Sequence, residues 1–528
     1  MNPNSESTPV GRTRPETYGI GENLVLVSNR QPYRHRYEAV DNAGGENAGT
    51  DEAGDDEGGG GGSAEDGRRV AVDSPVGGLT AGLDPVMRRL DGTWVAWGDG
   101  DADFAVADEA DRVAVPPEDP AYTLQRVRLS EEQVRGYYDG YANQALWPLY
   151  HTATCRARFD ADHWERYRDV NGEFADAVLS HAESGGVVWF QDYHFALAPR
   201  MVKTAEPEAF LMHFFHIPWP AADVLRICPQ RAALLDGLLG NDLLGFHCPQ
   251  YCARFLECVD EHLPSAAVDW GGGEVHYEGH TTTVRAFPLG VDADDIRAKS
   301  EGADGIFWTR FRHAHDIDDD VTVALGVDRL DYTKGIPERL EMLEHLFETR
   351  PSLRGELTYV QKGGETRERV PAYQRLRERV EDGVERINDR FGTDDWQPVV
   401  YTTEMFDYDR LCELYRFSDL ALVSPLRDGM NLVAKEYVAA QVEDDGVLLL
   451  SPLAGASEAL AEGAVELDPY DTAAGAAAIE RAIEMDDRER RSRMRALRRR
   501  VHEGDLSAWL DDVLETAGAV REARPGGS

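Results

Sequence analysis

Short apolar runs alternate with stretches of helical periodicity along most of this chain, and that alternation restricts the fold more than any other feature. The runs are Gly186–Gln191, Ala209–His216, Leu243–Phe246, Val284–Pro288, Val321–Val327, Leu357–Gln361, Val399–Tyr401, Leu420–Val423 and Val447–Ser451. Helical patterns such as Ile336–Glu348 and Val370–Asp389 separate most of them. Strands joined through helices run parallel, and a parallel sheet is covered by helices on both faces. Leu24–Ser28 adds a further buried strand. This many strands in 528 residues predicts an α/β protein with two doubly wound, Rossmann-like domains rather than one.

The best boundary lies at Phe287-Pro-Leu-Gly-Val-Asp292, where a strand ends in a Pro/Gly turn. It divides an N-terminal domain, 20–289, from a C-terminal domain, 290–485. Residues 486–516 read as a long charged helix or helix pair; the segment 486–528 is expected to pack back on the first domain. Residues 1–19 are a loose polar tail. Residues 38–69 are rich in Gly, Asp, Glu and Ser, with five glycines in a row at Gly58–Gly62. Such a segment has too little apolar surface to order itself and is expected to be a disordered, solvated insertion.

Acidic residues outnumber basic ones 97 to 55, a formal charge of −42. The basic cluster Arg488–Arg500 reads as the exposed face of a late helix, so no nucleic-acid partner is expected. Acidity spread along the whole chain suits a halophilic protein, whose counterions screen self-repulsion; an acidic enzyme of ordinary salt is the alternative. Six cysteines match no zinc spacing and read as reduced and structural. Residues 1–19 lack a secretory apolar core, and no apolar run reaches 18 residues. A cytoplasmic protein without a membrane partner is expected.

The most telling motif is Ser424-Pro-Leu-Arg-Asp-Gly-Met-Asn-Leu-Val-Ala-Lys-Glu436. A buried strand turns through Asp428-Gly429 into a helix from about Asn431. The unpaired N–H groups at such a helix start attract a phosphate or diphosphate. Asp428 and Glu436 flank that point, which suits a sugar nucleotide. An ordinary strand-loop-helix unit with a capping Asp is an equal reading of this stretch taken alone. Arg30 ends the first strand, and in an open α/β sheet ligands gather at the carboxyl ends of strands. Gly77-Gly78 precedes an expected helix and suits either a close ligand approach or a plain turn. Asp192-Tyr-His194 and His213-Phe-Phe-His216 close two successive strands at one edge. A metal pair at His213 and His216 is disfavoured, because i and i+3 on a strand point to opposite faces. Arg329 and Lys334 put two cations on one loop, suited to a diphosphate leaving group, or simply solvated. Arg367 lies on the loop after Leu357–Gln361. Tyr138, Asn143 and Trp147 form an aromatic segment suited to a sugar, or to a core.

In order along the chain stand Ser-Asn-Arg, Gly-Gly-Leu, Trp94-x-x-Trp97, Leu-Trp-Pro, Asp-Tyr-His, His-Ile-Pro, Gly-x-Asp-Arg-Leu-Asp-Tyr-x-Lys-Gly and Leu-Arg-Asp-Gly-Met-Asn-Leu-Val-Ala-Lys-Glu. This set resembles the trehalose-6-phosphate synthase family of retaining glucosyltransferases, from about Leu24 to about Ala482. The resemblance implies two Rossmann-like domains facing across a cleft, the GT-B arrangement. It implies glucose transfer from a nucleotide-glucose, UDP-glucose being favoured over GDP- or ADP-glucose, to glucose 6-phosphate. Carried over by motif, Arg30, Tyr138 and Arg367 would hold the acceptor phosphate. Trp97, Trp147 and Asp192 would shape the acceptor sugar site, with Gly78 between donor and acceptor. Arg329 and Lys334 would bind the donor diphosphate, and His216 and Asp428 the transferred glucose. The backbone of Gly429, Met430, Asn431 and Leu432 would support the donor, and Glu436 its ribose. No metal or other cofactor is implied.

A separate trehalose-phosphate phosphatase would act on the product, because no Asp-x-Asp-Gly-Thr pattern follows. A homo-oligomer is compatible with this reading. Two departures from the family pattern, Gln361-Lys-Gly-Gly-Glu-Thr366 and Gln-Pro-Tyr after Arg30, touch the acceptor side. They leave open a sister enzyme that uses glycerol 3-phosphate and makes glucosylglycerol phosphate. An inactive sugar-phosphate sensor on the same fold is the remaining rival.

Overall fold

The computed structural model describes residues 24–38, 69–73, 78–90, 92–182, 184–367 and 369–524. The tail 1–19 and all but the two ends of the insertion 38–69 lie outside the described residues. The insertion's flanks pair: after β1 (Leu24–Ser28), β2 (Arg34–Tyr37) and β3 (Val70–Asp73) form an antiparallel ribbon.

The first large sheet contains β1 and then β4 (Thr93–Trp97), β5 (Arg112–Val115), β6 (Tyr122–Val127), β7 (Val187–Gln191), β8 (Phe210–Phe215), β9 (Leu243–Phe246), β10 (Ala267–Asp269), β11 (Glu274–Tyr277) and β12 (His280–Ala286). Its order is β10-β11-β12-β9-β8-β7-β1-β4-β6-β5. The central strands β12 to β6 are parallel, with antiparallel pairings only at the two edges. The second sheet holds β13 (Thr322–Arg329), β14 (Leu357–Gly364), β15 (Val399–Thr402), β16 (Leu420–Val423), β17 (Val447–Leu450) and β18 (Val465–Glu466). It is parallel throughout, in the order β15-β14-β13-β16-β17-β18.

In both sheets the first strand sits in the middle and the winding reverses beside it. The reversal falls between β1 and β7 in one sheet and between β13 and β16 in the other. At a reversal the two following loops diverge and leave a crevice at the carboxyl ends of the strands. Those loops carry Arg30 and Asp192 in the first sheet, and Leu330–Lys334, just after Arg329 at the end of β13, and Asp428–Asn431 in the second.

The strand ends differ from expectation in places. β12 starts four residues before Val284 because His280–Thr283, polar as they are, pair with β11 and β9. It stops at Ala286, since Pro288 has no N–H to give a ladder. β14 runs on to Gly364 through its pairing with β13. β5 and β6 mix polar and apolar residues, and their neighbours hold them in the sheet; β4, with the apolar run Trp94–Trp97, was a strand signal that the motif reading of its tryptophans passed over.

Three apolar clusters cover the sheet faces. Residues 486–516 resolve into two helices, Asp487–Glu503 and Leu506–Ala523. The second lies on the first sheet, with Trp509 stacked 5.8 Å from Trp189 and edge-on to Phe214 at 5.3 Å. No described helix is long and apolar enough to cross a membrane. All six cysteines are free thiols, with Cys155 exposed.

Candidate active site

The loop after β13 and the loop after β16 meet through one short ion pair. Lys334 Nζ donates to Asp428 Oδ2 at 2.5 Å, and Asn431 Nδ2 donates to the same oxygen at 3.1 Å. Asn431 has φ +82° and caps the helix Leu432–Ala440 by accepting from the Ala434 N–H. Burial pulls the Asp428 pKa up, but Lys334 more than reverses this and holds the carboxyl below its usual range. The Lys334 cation is thus shared with Asp428 from the start.

Beneath this pair lies Arg339, which motif reading missed. Its guanidinium is fully buried and donates to Asp328, Tyr359 and Gln361 through Nη1, to Ser424 Oγ through Nε, and to the Lys334 carbonyl through Nη2. One side chain therefore ties the ends of β13, β14 and β16 to the Lys334 loop. Gln361, a departure from the family pattern, belongs to this buried network, bonded to Arg339, Tyr359 and the Gly326 carbonyl. Gly335 follows at φ +67°, where a Cβ would lie 2.1 Å from the Ser424 carbonyl oxygen; only glycine lets the two loops approach this closely.

The first sheet comes up against the same point. A Cβ on Gly429 would lie 2.3 Å from the His216 carbonyl oxygen. Tyr251 OH donates to the Asp428 carbonyl at 3.1 Å. His216 Nε2 donates to Gln191 Oε1 at 2.8 Å, leaving Nδ1 without the proton of the neutral ring. Burial, with His247 and His213 adding to it, pushes the His216 pKa well below the usual imidazole range. His216 is therefore an uncharged group at neutral pH.

Trp147 organises the other side of the cleft. Arg367 stacks 3.8 Å over its ring, and Arg329 lies 5.7 Å from the ring centre. Trp147 Nε1 points at Asp331 Oδ1, 3.4 Å away. Arg367 Nη1 donates to Asp331 Oδ2 at 2.9 Å and to Tyr373 OH at 2.5 Å; its Nη2 reaches Tyr193 OH at 3.3 Å. Arg367 has φ +50°, a strained backbone for a long side chain, as is common at functional sites. Asp331, fully buried, is the residue that orients Arg367. Burial raises its pKa, and Arg367 and Arg329 together more than reverse that. The second Asp of Asp-Arg-Leu-Asp was the available signal for it.

Tyr138 is seated between Trp97, 5.7 Å away, and His194, 6.0 Å away. Burial raises the pKa of its phenol, but Arg367, a hydrogen bond and charge from Arg30, and Arg329 bring it below the usual tyrosine range. Arg30, Tyr138, Arg329 and Arg367 thus share one electropositive spot. Tyr137 OH donates to Asn29 Oδ1, fixing the turn before Arg30. Asn143 Oδ1 accepts from Tyr193 OH at 2.9 Å, and its Nδ2 donates to the Tyr138 carbonyl at 2.8 Å.

Asp192 has φ +68°, and its Oδ1 accepts from the N–H groups of Tyr193 at 3.0 Å and His216 at 3.2 Å. Burial pushes its pKa up to about 6; the two N–H bonds and the charges of Arg367 and Arg329 oppose the rise. Gly78 starts the helix Gly78–Leu90. Met430 is buried, its carbonyl accepting from Ala456 N–H, and Leu432 packs against both sheets' clusters. Glu436 stands apart from the cations: it is nearly buried, accepts from Tyr415 OH at 2.9 Å, and has its pKa raised by burial.

The cleft between the two sheets therefore joins an uncharged His and a Lys–Asp pair on one side to an arginine-rich aromatic patch on the other. The profile of glycosyltransferase family 20 matches residues 62–518. The chain belongs to glycosyltransferase family 20. A trehalose-6-phosphate synthase of Mycobacterium sp. (strain KMS) is 37% identical over 459 residues, covering 85% of this chain and 91% of that protein. An alpha,alpha-trehalose-phosphate synthase (UDP-forming) from Burkholderia vietnamiensis superposes with a TM-score of 0.81 at 29% identity, over 95% of this chain and 98% of its own. One from Burkholderia xenovorans, also UDP-forming and in complex with glucose-6-phosphate, gives 0.79 at 29% identity, over 94% and 99%. The two doubly wound sheets facing across a cleft are the GT-B arrangement of that family's enzymes.

Proposed function

We propose that this protein is a retaining glucosyltransferase that moves glucose from UDP-glucose to glucose 6-phosphate, giving α,α-trehalose 6-phosphate and UDP. The observation that carries this reading is the electropositive patch of Arg30, Tyr138, Arg329 and Arg367 set against Trp147, with Arg367 oriented by Asp331. Such a patch suits a sugar carrying a phosphate. The related UDP-forming synthases support the same pair of substrates.

The residues divide the chemistry as follows. Arg30, Tyr138 and Arg367 hold the acceptor's phosphate, and Trp97, Trp147 and Asp192 its sugar. Arg329, Lys334 and the N–H groups of Gly429–Leu432 bind the donor diphosphate, where negative charge grows as the bond to glucose breaks. Asp428 and His216 contact the transferred glucose, Gly78 lies between donor and acceptor, and Glu436 takes the ribose hydroxyls. As the donor's C1–O bond breaks, the acceptor's anomeric oxygen bonds to C1 from the same face. Its proton passes to a diphosphate oxygen, so no protein nucleophile is needed. Division near residue 290 into an acceptor half and a donor half, and action in the cytoplasm where phosphorylated sugars are made, fit this scheme.

The test is release of nucleoside diphosphate from UDP-, GDP- and ADP-glucose, each with glucose 6-phosphate or glycerol 3-phosphate, in high salt. Turnover with UDP-glucose and glucose 6-phosphate, yielding a non-reducing disaccharide phosphate, is expected. Turnover confined to glycerol 3-phosphate would overturn the acceptor assignment, and silence with every pair from folded protein would overturn the enzyme itself.

A further inference from the structure

Behind the acceptor patch a second cavity of about 410 Å³ opens between the two halves. Its walls come from Asn143, Gln144, Pro148, Cys155, Arg156 and Arg158 on one side, and from Tyr332, Val370–Tyr373 and Arg375 on the other. None of Arg30, Trp97, Tyr138, Arg329 or Arg367 lines it. Three arginines do: Arg156, Arg158 and Arg375. Among the described residues, none of these three pairs with a carboxylate. Arg158 donates only to the carbonyls of Cys155 and Ala157, and Arg156 lies 4.6 Å over the Tyr332 ring. No carboxylate lines the cavity either.

That is an unusual neighbourhood in a chain with 97 acidic and 55 basic residues. Most arginines here have a carboxylate within reach. Arg156, Arg158 and Arg375 are exposed, so an anion in the hollow would find charge-assisted donors on both walls. The volume is that of a small-metabolite site. We propose that this crevice is a second anion site, which takes a small phosphate ester and is separate from the acceptor site in the cleft.

Because its walls belong to both halves, a ligand here favours the arrangement in which they are closed together. It also touches the back of the acceptor site. Tyr373 lines the cavity while its OH holds Arg367 and Asp331. Asn143 lines it while accepting from Tyr193, the other phenol on Arg367.

The experiment is a calorimetric titration of the full chain with inorganic phosphate, with saturating UDP present to occupy the donor groups. Wild type is expected to take up phosphate at two sites. The exposed-arginine variant Arg156→Ala/Arg158→Ala/Arg375→Ala loses one of them, and Arg30→Ala loses the other. A triple variant that keeps the wild-type stoichiometry overturns the proposal, as does a wild type whose only site vanishes in Arg30→Ala, or one that binds no phosphate. If Arg30→Ala changes nothing while the triple variant loses its site, the proposal stands and the acceptor-phosphate assignment of Arg30 falls. The two readings therefore fail separately.

Discussion

At the scale of single residues the site is a set of charges held in costly places. Asp192 shows this most directly, with burial raising its pKa from 3.8 to about 6. The folded protein then holds this proton more tightly than the unfolded chain does. The resulting stabilisation is complete below about pH 4 and is lost as pH rises through about 6. Asp192→Asn removes that loss, so the variant should melt higher than wild type at pH 8, with the gap closing toward pH 4. Turnover should be low at every pH in the variant, and should fall in wild type below about pH 6. A variant that melts no higher at pH 8 would refute the buried-charge account. Arg367 makes a second case. Its planar fork serves Asp331 and two phenols while stacking on Trp147, and a lysine cannot do all of this. Arg367→Lys should lose one or two charge-assisted hydrogen bonds, about 1.5–3 kcal/mol. That is a rise of roughly 10- to 100-fold in the KM for glucose 6-phosphate, with the KM for UDP-glucose little changed. Motif order pointed to Arg367, yet Asp331, Tyr193 and Tyr373, which aim it, come from three separate segments. Arg339 was illegible for the same reason: in sequence it is one arginine of an ordinary amphipathic helix.

At the scale of elements, the strand-turn-helix at Ser424–Ala440 was legible from its apolar run, its Asp-Gly turn and its helical pattern. The close approach of Gly429 to the His216 carbonyl was not, because the two are more than 200 residues apart in sequence. Gly429→Ala should force this loop off the first sheet, with a cost of about 1–3 kcal/mol of overpacking. Turnover should drop at least about tenfold (a barrier rise of ~1.4 kcal/mol) while the protein stays folded. Gly172 is the control: it lies within the helix Ala161–Leu179 with nothing near its missing Cβ. Gly172→Ala should leave turnover unchanged and add about 0.5–1 kcal/mol of stability, read as a higher melting temperature.

At the scale of the whole molecule, the last helix ties the chain's end to its first sheet. Trp509 is almost fully buried between Trp189 and Phe214, and Arg524 pairs with Asp242 at 3.3 Å. The chain passes the Gly290–Val291 segment at close range on its way there: Leu506 N–H donates to the Val291 carbonyl, and Gly290 leaves no room for a side chain beside Asp505. Lys435, its pKa lowered to about 8 by burial, donates to the Leu289 carbonyl on the other side. Trp509→Ala should cost about 3–5 kcal/mol, measured by denaturant unfolding. A loss below about 1 kcal/mol would mean that the helix is only loosely docked.

The sequence by itself determined that strands and helices alternate, that the sheets are parallel at their centres, and which motif residues stand at strand ends. These follow from local periodicity and from the chemistry of short segments, which neighbouring residues decide among themselves. It also placed the cations and carboxylates in the order that its family shares. Only the tertiary structure decided that Lys334 is shared with Asp428, that Asp331 aims Arg367, that Gln361 is tied through Arg339 to the Lys334 loop, and that polar His280–Thr283 is strand. Each of these depends on pairings between distant segments, where burial and close approach set the energy and no local pattern records them.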